Sequence, residues 1–140
     1  MDAIDAVAAH GHPVDESLRG HLRGHELTAD EPISEGGDDQ GPSPQELLAA
    51  SLASCTAITL EMYAKRKGWA VSPLEVACHY STPARGEATQ FSLVLRLPRT
   101  LTEEQVDRLR AIAAKCPVHR TLEGEVSFED RIELVGPDEL

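Results

Sequence analysis

The sequence has 140 residues, of which 41% are hydrophobic and 26% are charged. This length and balance predict a single globular domain over residues 1–140 that is large enough to bury a core. The formal net charge of −11 would repel a phosphate backbone, and no basic stripe with interleaved aromatic residues offsets it, which excludes nucleic acid as a partner.

The sequence also limits the compartment. It shows no apolar run near the ~20 residues that a membrane span requires, which excludes a membrane partner. The first residues, MDAIDAVAAHGHPVDE, carry acids where an export signal carries basic residues before an apolar stretch. We therefore expect a cytoplasmic protein. Its cysteines, Cys55, Cys78 and Cys116, are too few and too scattered for a disulfide framework in a reducing compartment, so each is judged separately.

The N-terminal part of the chain carries weak structural signals. Residues 1–17 show no clear period and are predicted to form an irregular arm. Residues 18–30 contain a weak alternation that is typical of an exposed hairpin or an edge strand. Residues 31–44 are dense in Gly, Pro, Asp and Ser, which indicates a loop.

A long helix is predicted over residues 44–67. Ser43 has the N-cap position, a proline follows it, and Glu46, three residues after the serine, completes a capping box. Gly68 ends the helix. At ~100° per residue, Cys55 lies near the centre of one face of this helix, so this cysteine is expected to face the protein interior. The other members of that face are Leu47, Leu48, Ser51, Leu52, Ile58, Thr59 and Met62.

The second half of the chain alternates strands and helices. Two strand candidates, residues 74–82 and 90–98, are separated by the turn-rich PARGEA and are predicted to pair antiparallel. A second helix with its own capping signal is predicted over residues 102–116. A last strand is predicted over residues 125–135, before a polar tail at residues 136–140. This order predicts an α+β domain with the helices on one side of an antiparallel sheet.

The cysteines carry the candidate chemistry. Free cysteine is among the most buried residue types, and Cys78, inside a strand with His79 facing the other way, fits a core residue. Pro117 disfavours helical geometry at Cys116, which is therefore expected at a helix end, where the short turn PVHRTLEG begins. Cys55 and Cys116 lie on the inner faces of their helices. Two helices on one sheet can bring both sulfurs into one pocket, which periodicity permits but does not demonstrate.

Two other kinds of cysteine site are weaker hypotheses. A metal site would use Cys55, Cys116 and His119, but CPVH offers one short pair without the second pair that structural zinc requires. A Cys/His hydrolase needs a base beside its thiolate, and the sequence designates none.

Two segments together resemble a known family. GGDDQGPSPQELLAASLASCTAITLEMYAKRKGW is followed further along the chain by KCPVHRTLEG. This pair of cysteine motifs is similar to the OsmC/Ohr family of osmotically induced and organic hydroperoxide resistance proteins, and more narrowly to its OsmC-like branch. The similarity extends over residues 26–135. The resemblance implies an OsmC-like fold in which a long central helix and a second helix lie on one side of an antiparallel sheet. It also implies an intertwined homodimer with its active sites at the dimer interface.

The resemblance further implies a thiol-dependent peroxidase in oxidative stress defence, without metal, haem or another cofactor. In the family pattern Cys55 is the peroxidatic cysteine and Cys116 the resolving cysteine. The thiolate of Cys55 attacks an organic hydroperoxide and becomes a sulfenic acid, which Cys116 converts into a disulfide. An external dithiol reductant then reopens the disulfide by exchange.

The family pattern also includes an arginine that stabilises the thiolate and a glutamate that holds the arginine. The arginine is expected at Arg23, beside the strand-like HELTAD, with Arg19 as the alternative. The position of the glutamate is occupied by Gln45. The arginine partner would then be Glu46, but this residue points about 180° from Cys55 on the helix and is better explained as a helix cap.

This departure from the family pattern leaves two other functions open. A non-catalytic OsmC-like dimer that binds an apolar ligand predicts slow alkylation of Cys55 at neutral pH and a tightly held ligand in the purified protein. A thiol redox sensor predicts the same disulfide, a protein partner and stoichiometric oxidation without multiple turnovers.

Overall fold

The structure, a computed structural model, describes the backbone of residues 7–12 and 15–139 and the side chains of residues 22–139. In these ranges the chain is an α+β protein. Its strands are β1 (Val7–His12), β2 (Asp15–Leu22), β3 (His25–Ala29), β4 (Glu75–Tyr80) and β5 (Phe91–Arg96). Its α-helices are α1 (Pro44–Lys67), α2 (Glu103–Ala113) and α3 (Pro117–Glu123).

The N-terminal strands β1, β2 and β3 form an antiparallel sheet in that order. The hairpin predicted over residues 18–30 is confirmed, and its turn consists of Arg23 and Gly24, with φ of 51° and 83°. Two successive residues at positive φ are typical of a type I′ turn, whose twist matches that of the strands. The prediction of an irregular arm over residues 1–17 is wrong for residues 7–12 and 15–17, which pair as strands. Hydrogen bonds between main-chain groups hold these strands together, so their sequences need no alternation of apolar residues. Residues 1–6 and 13–14 of the predicted arm lie outside the described residues.

The loop between β3 and α1 is organised by the buried carboxylate of Asp30. Its side-chain oxygens accept hydrogen bonds from the backbone N–H groups of Glu31, Asp38 and Gln40, at 2.8, 3.2 and 3.1 Å. Gly37 passes so close to this turn that an added Cβ would lie 2.0 Å from the Glu31 carbonyl oxygen. The predicted loop is therefore confirmed, and its hydrogen bonds give it a defined course to the start of α1.

Helix α1 begins and ends where the sequence predicts. The Glu46 N–H donates to Ser43 Oγ at 3.1 Å, and the Ser43 N–H donates to Glu46 Oε1 at 3.2 Å, so the capping box is confirmed. At the other end Gly68 has a φ of 71°, and its N–H donates to the carbonyl oxygens of Ala64 and Lys65. Glycine adopts this left-handed helix end without steric cost.

The buried face of α1 is not the predicted one. Leu48, Ile58 and Met62 of the predicted inner face are 37%, 54% and 63% exposed. The centre of the buried face is turned by about 100° from Cys55, which is half-buried at the edge. The prediction was wrong because α1 is apolar on most sides, so that periodicity alone does not mark its inner face. The buried residues of α1 are Leu52, Thr56, Leu60, Tyr63 and Ala64.

The strands β4 and β5 pair antiparallel, as predicted, from Glu75 opposite Arg96 to Tyr80 opposite Phe91. They form a sheet separate from that of β1, β2 and β3. Helix α1 is central and packs against β4, α2 and α3, which confirms the predicted arrangement of a long central helix and a second helix beside antiparallel strands. The core cluster consists of Leu60, Tyr63, Leu109, Ile112 and Ala113.

The last predicted strand, residues 125–135, is not formed in the single chain. The structure shows no strand in this segment, and Phe128, Ile132 and Leu134 are 86%, 85% and 95% exposed. Their alternation is typical of a strand, but a strand also requires partners for its backbone N–H and C=O groups. The segment therefore presents an apolar face that nothing in the described chain covers.

By length and composition α1 is apolar enough to cross a membrane, with a mean hydropathy of 1.4 over an 18-residue window. The expectation that no apolar run approaches membrane length was therefore wrong. The packing of α1 shows where its apolar residues lie. Its residues Leu60 and Tyr63 contribute to the core cluster beside α2, while 28% of the residues in that window are buried in the single chain.

Candidate thiol site

The thiols of Cys55 and Cys116 meet where the middle of α1 faces the start of α3. Cys55 is half-buried, whereas Cys116 is fully buried, with 0% exposure. The Cys116 side chain is a direct neighbour of the Cys55 thiol and influences its pKa. The structure therefore brings together the two cysteines that the sequence singled out.

Cys116 is the N-cap residue of α3. Its backbone is extended, with φ of −60° and ψ of 140°, and its Sγ accepts a hydrogen bond from the His119 N–H at 3.3 Å. Pro117 causes this geometry, because a proline disfavours helical dihedrals at the residue before it and suits the first position of the following helix. The predicted helix end at Cys116, followed by a short new turn, is confirmed.

A buried hydroxyl lies between α1 and Cys116. Thr56 is 0% exposed, and its Oγ1 donates to the Leu52 carbonyl oxygen at 2.8 Å and lies 3.8 Å from Cys116 Sγ. The hydrogen bond to Leu52 removes the cost of burying this hydroxyl. Thr56 had no signal in the sequence, because it lies outside the helix face that the apolar pattern centred on Cys55.

Burial raises the pKa of the Cys55 thiol, and the adjacent Cys116 raises it further. Two groups act in the opposite direction and lower it, the backbone N–H of Val118 and the hydroxyl of Thr59. Both are polar donors near the sulfur, which favours the thiolate. The start of α3 thus places the Val118 amide near Cys55 and the His119 amide 3.3 Å from Cys116 Sγ. A backbone amide has no residue signature, so the sequence did not reveal this feature.

Replacing Thr59 with Val is expected to raise the pKa of Cys55 further, because it removes a hydroxyl that stabilises the thiolate. The thiolate is the reactive form, so alkylation of Cys55 at neutral pH should slow several-fold, in line with the net worth of one hydrogen bond. The inflection of the rate should also move to higher pH. The measurement is residue-resolved mass spectrometry of iodoacetamide labelling between neutral and alkaline pH. Thr59→Ser keeps the hydroxyl and should retain the wild-type profile; equal profiles for Thr59→Val and wild type would contradict the assignment.

The structure does not bring the two proposed helper residues to the sulfurs within the described chain. Arg23 is exposed in the β2–β3 turn, and Glu46 is engaged in capping its own helix. Arg19 lies on β2 opposite Thr28, and its side chain is outside the described residues. Within the described chain, the groups that lower the pKa of Cys55 are an amide and a hydroxyl. No guanidinium is among them.

Cys78 has the surroundings of a core residue. It lies on β4 opposite Leu93, half-buried, and burial raises the pKa of its thiol, while His79 is exposed on the other face. Among residues 22–139, no three His, Cys, Asp or Glu side chains are grouped so as to hold a metal ion. The structure therefore adds no support to a metal site at Cys55, Cys116 and His119.

Comparison with known proteins gives a family and a fold. Residues 36–130 match a family model described as OsmC-like protein. The structure is similar to an OsmC-like protein from Mycoplasma pneumoniae, with a TM-score of 0.73 and 22% identity, over 88% of this chain and 89% of that one. It is also similar to an organic hydroperoxide resistance protein from Elizabethkingia anophelis, with a TM-score of 0.66 and 20% identity, over 89% of this chain and 90% of that one.

A third similar structure is an organic hydroperoxide resistance protein OsmC from Legionella pneumophila, with a TM-score of 0.65 and 18% identity, over 89% of this chain and 91% of that one. No curated protein has a significant match to the sequence. At these identities the structural likeness shows the fold, and the chemistry has to be argued from the site.

Proposed function

Because the chain belongs to the family of OsmC-like proteins, as its two cysteine motifs indicated, we propose that it is a thiol-dependent peroxidase that reduces organic hydroperoxides. The observation that carries the proposal is the position of Cys116, at the start of α3, beside the Cys55 thiol on α1. A second thiol beside the first is what converts a sulfenic acid into a disulfide. The proposal places the protein in the cytoplasm, in oxidative stress defence.

In the first step Cys55 is the nucleophile, because it is half-buried whereas Cys116 is fully buried. Its thiolate attacks the terminal oxygen of the hydroperoxide, so that a sulfur–oxygen bond forms and the oxygen–oxygen bond breaks. The alkoxide takes up a proton and leaves as an alcohol. Cys55 is oxidised to a sulfenic acid, and the hydroperoxide is reduced. The Val118 N–H and the Thr59 hydroxyl favour the attacking thiolate.

In the second step Cys116 attacks the sulfur of the Cys55 sulfenic acid. A disulfide forms, and hydroxide leaves with the proton of Cys116 as water. The His119 N–H, 3.3 Å from Cys116 Sγ, supports the attacking sulfur, since a hydrogen bond to an ionised acceptor is stronger than one to a neutral acceptor. An external dithiol then reduces the disulfide by exchange and becomes oxidised itself, so the cycle needs no bound cofactor.

We propose that the active form is a homodimer. The single chain exposes the apolar face of residues 125–135 and the apolar face of α1 around Ile58 and Met62, and exposed apolar surface of this kind is typical of an interface. A strand-like segment without a partner can complete its hydrogen bonds on the sheet edge of a second copy. In this proposal Arg23, exposed in the β2–β3 turn, reaches a Cys55 thiolate only in the dimer, while Glu46 remains a helix cap.

Replacing Phe128 with Asp is expected to weaken association of the dimer by at least about tenfold, because a carboxylate would be buried without a partner at the interface. The measurement is sedimentation over a concentration series. Glu129→Ala changes the next residue, on the opposite face of the segment, and should leave the association unchanged. A dimer that is equally strong in Phe128→Asp would contradict the assignment of the segment to the interface.

The function is tested by treating the reduced protein with tert-butyl hydroperoxide and mapping its disulfides by mass spectrometry. We expect a peptide that links Cys55 to Cys116, with Cys78 free. With dithiothreitol present, each protein chain should consume many equivalents of hydroperoxide. Oxidation that produces no linked peptide, or that links Cys78 instead, would contradict the mechanism.

The raised pKa of Cys55 favours a second candidate, a non-catalytic dimer that binds an apolar ligand. A thiol that is mostly protonated at neutral pH reacts slowly. This candidate predicts slow alkylation of Cys55 and no turnover of hydroperoxide in the dimer. A redox sensor would differ from both, because it would consume one equivalent of hydroperoxide and then stop.

A further inference from the structure

Four side chains that donate hydrogen bonds converge near the C-terminal end of α1, where this helix packs beside α2. They are Tyr63, Arg66 and Lys67 of α1 and Arg108 of α2, and we call them the Tyr63 cluster. The centroid of the Tyr63 ring lies 5.7 Å from the guanidinium carbon of Arg66 and 5.7 Å from Lys67 Nζ. The guanidinium carbon of Arg108 lies 5.6 Å from the same point. The cluster therefore concentrates three positive charges around one ring.

Tyr63 gives the cluster a fixed centre. It is 7% exposed, and its ring meets that of Trp69 edge-on, with the centroids 5.6 Å apart. Arg108 Nε donates to the Tyr63 hydroxyl oxygen at 2.8 Å, while the hydroxyl hydrogen has no acceptor among residues 22–139. The hydrogen bond from Arg108 and the neighbouring positive charges lower the pKa of Tyr63. The surroundings of this hydroxyl therefore favour negative charge.

The cations of the cluster have no carboxylate partner within the described part of the chain. The ion pairs found there leave the cluster out; they are Arg96–Glu75, Arg110–Asp107, His119–Glu123 and Arg131–Glu133. The chain has 24 acidic and 13 basic residues, so acids are available in number and are placed elsewhere. Because like charges repel one another, an anion from outside the chain would stabilise this arrangement.

We propose that the Tyr63 cluster binds a phosphate dianion, as free phosphate or as the phosphate group of a small molecule. A phosphate monoester carries a charge of about −1.5 to −2 at pH 7 and three acceptor oxygens, which suits three cations and one hydroxyl donor. A carboxylate has one charge and two oxygens, fewer than the donors present. Arg66 and Arg108 are exposed, and a guanidinium binds two phosphate oxygens at once.

The cluster is separate from the thiol site. Tyr63 lies on α1 beyond Cys55, at a distance of about 12 Å along the helix axis. Binding of phosphate is a property of the reduced protein and can be measured without a hydroperoxide. A failure of the proposed peroxidase function would therefore leave this inference standing, and the reverse also holds.

The site is tested by titrating the reduced protein with inorganic phosphate at constant ionic strength and recording NMR spectra of the side-chain N–H groups. The signals of Arg66, Arg108 and the single tryptophan, Trp69, should shift and saturate with a Kd of about 1 mM or lower. Acetate should bind at least about fivefold more weakly, because it has a single charge. Shifts that do not saturate with phosphate, or acetate that binds as tightly, would overturn the proposal.

Substitutions then assign the binding to the cluster. Arg108→Gln should weaken phosphate binding about tenfold, and Arg66→Gln and Tyr63→Phe about fivefold each, in line with the loss of a hydrogen bond to a charged group. The matched control is Arg110→Gln, which makes the same change in net charge on the same helix. Arg110 pairs with Asp107, so this variant should keep the wild-type affinity. Circular dichroism confirms that the variants are folded. Equal losses in Arg108→Gln and Arg110→Gln would overturn the site, because only the net charge would then matter.

The source of the phosphate is distinguished by a second probe, phenyl phosphate, under the same conditions. Tighter binding of phenyl phosphate than of inorganic phosphate would support the site and identify an organic phosphate as its ligand. Equal affinities would support the site and identify free phosphate. Binding of neither probe would overturn the proposal.

Discussion

Replacing Cys55 with Ser is expected to lower hydroperoxide turnover by roughly a thousandfold or more, because the reaction then has no nucleophile at the more accessible, half-buried position of the thiol pair. A serine hydroxyl is not ionised near neutral pH and does not form a sulfenic acid. The reason for this expectation is structural, since Cys116 is fully buried and reacts only with a group that the site brings to it. The measurement is steady-state consumption of tert-butyl hydroperoxide with dithiothreitol as the reductant.

Two further cysteine variants serve as controls. Cys116→Ser should still form a sulfenic acid on Cys55 but no internal disulfide, so that a sulfenic-acid probe labels Cys55 after one equivalent of hydroperoxide. Cys78→Ser should keep the wild-type rate, because Cys78 lies on β4 opposite Leu93, apart from the pair. Full turnover by Cys55→Ser, or its loss in Cys78→Ser alone, would show that the nucleophile has been misassigned.

Replacing Leu60 with Ala is expected to lower the free energy of unfolding by about 2–5 kcal/mol, the range for a large side chain removed from a close-packed core. Leu60 is 0% exposed and belongs to the cluster with Tyr63 and Leu109, which joins α1 to α2. Domains of this size are stable by only about 5–15 kcal/mol, so this one change removes a large share of the total. The measurement is urea unfolding at a fixed protein concentration, because association of chains adds to the apparent stability.

The matched control is Leu60→Met, which nearly conserves the volume and should cost less than about 1.5 kcal/mol. The difference in the free energy of unfolding between the two variants then measures the effect of the cavity that Leu60→Ala creates, apart from the effect of substituting this position at all. A loss below about 1 kcal/mol in Leu60→Ala would mean that the interior of the domain is centred elsewhere.

The parts of this protein that the sequence predicted correctly are those that depend on a few neighbouring residues. The start of α1 follows from the hydrogen bonds between Ser43 and Glu46, and its end follows from the left-handed Gly68. The position of Cys116 at a helix boundary follows from Pro117. In each case the backbone is determined by groups within a few positions, so local chemistry is sufficient.

The site itself was predicted in part. The pairing of Cys55 with Cys116 came from the resemblance of two motifs, since periodicity only permits it. The groups around the pair, the Val118 amide and the hydroxyls of Thr56 and Thr59, had no signal in the sequence. The amide comes from another helix and Thr56 from a side of α1 that looked external, whereas Thr59 lies on the predicted inner face without any signal of its role; only packing brings these groups to the sulfurs.

By itself, then, the sequence determined the helices, the β4–β5 pair, the α+β class and the two cysteines worth attention, because caps, turns and strand alternation are local. Only the tertiary structure decided which face of α1 is buried, since that helix is apolar on most sides and its neighbours select the face. The same holds for residues 125–135, which have the pattern of a strand but are exposed in the single chain. A pattern of side chains shows what a segment can pair with, and whether it pairs depends on where the rest of the chain places a partner.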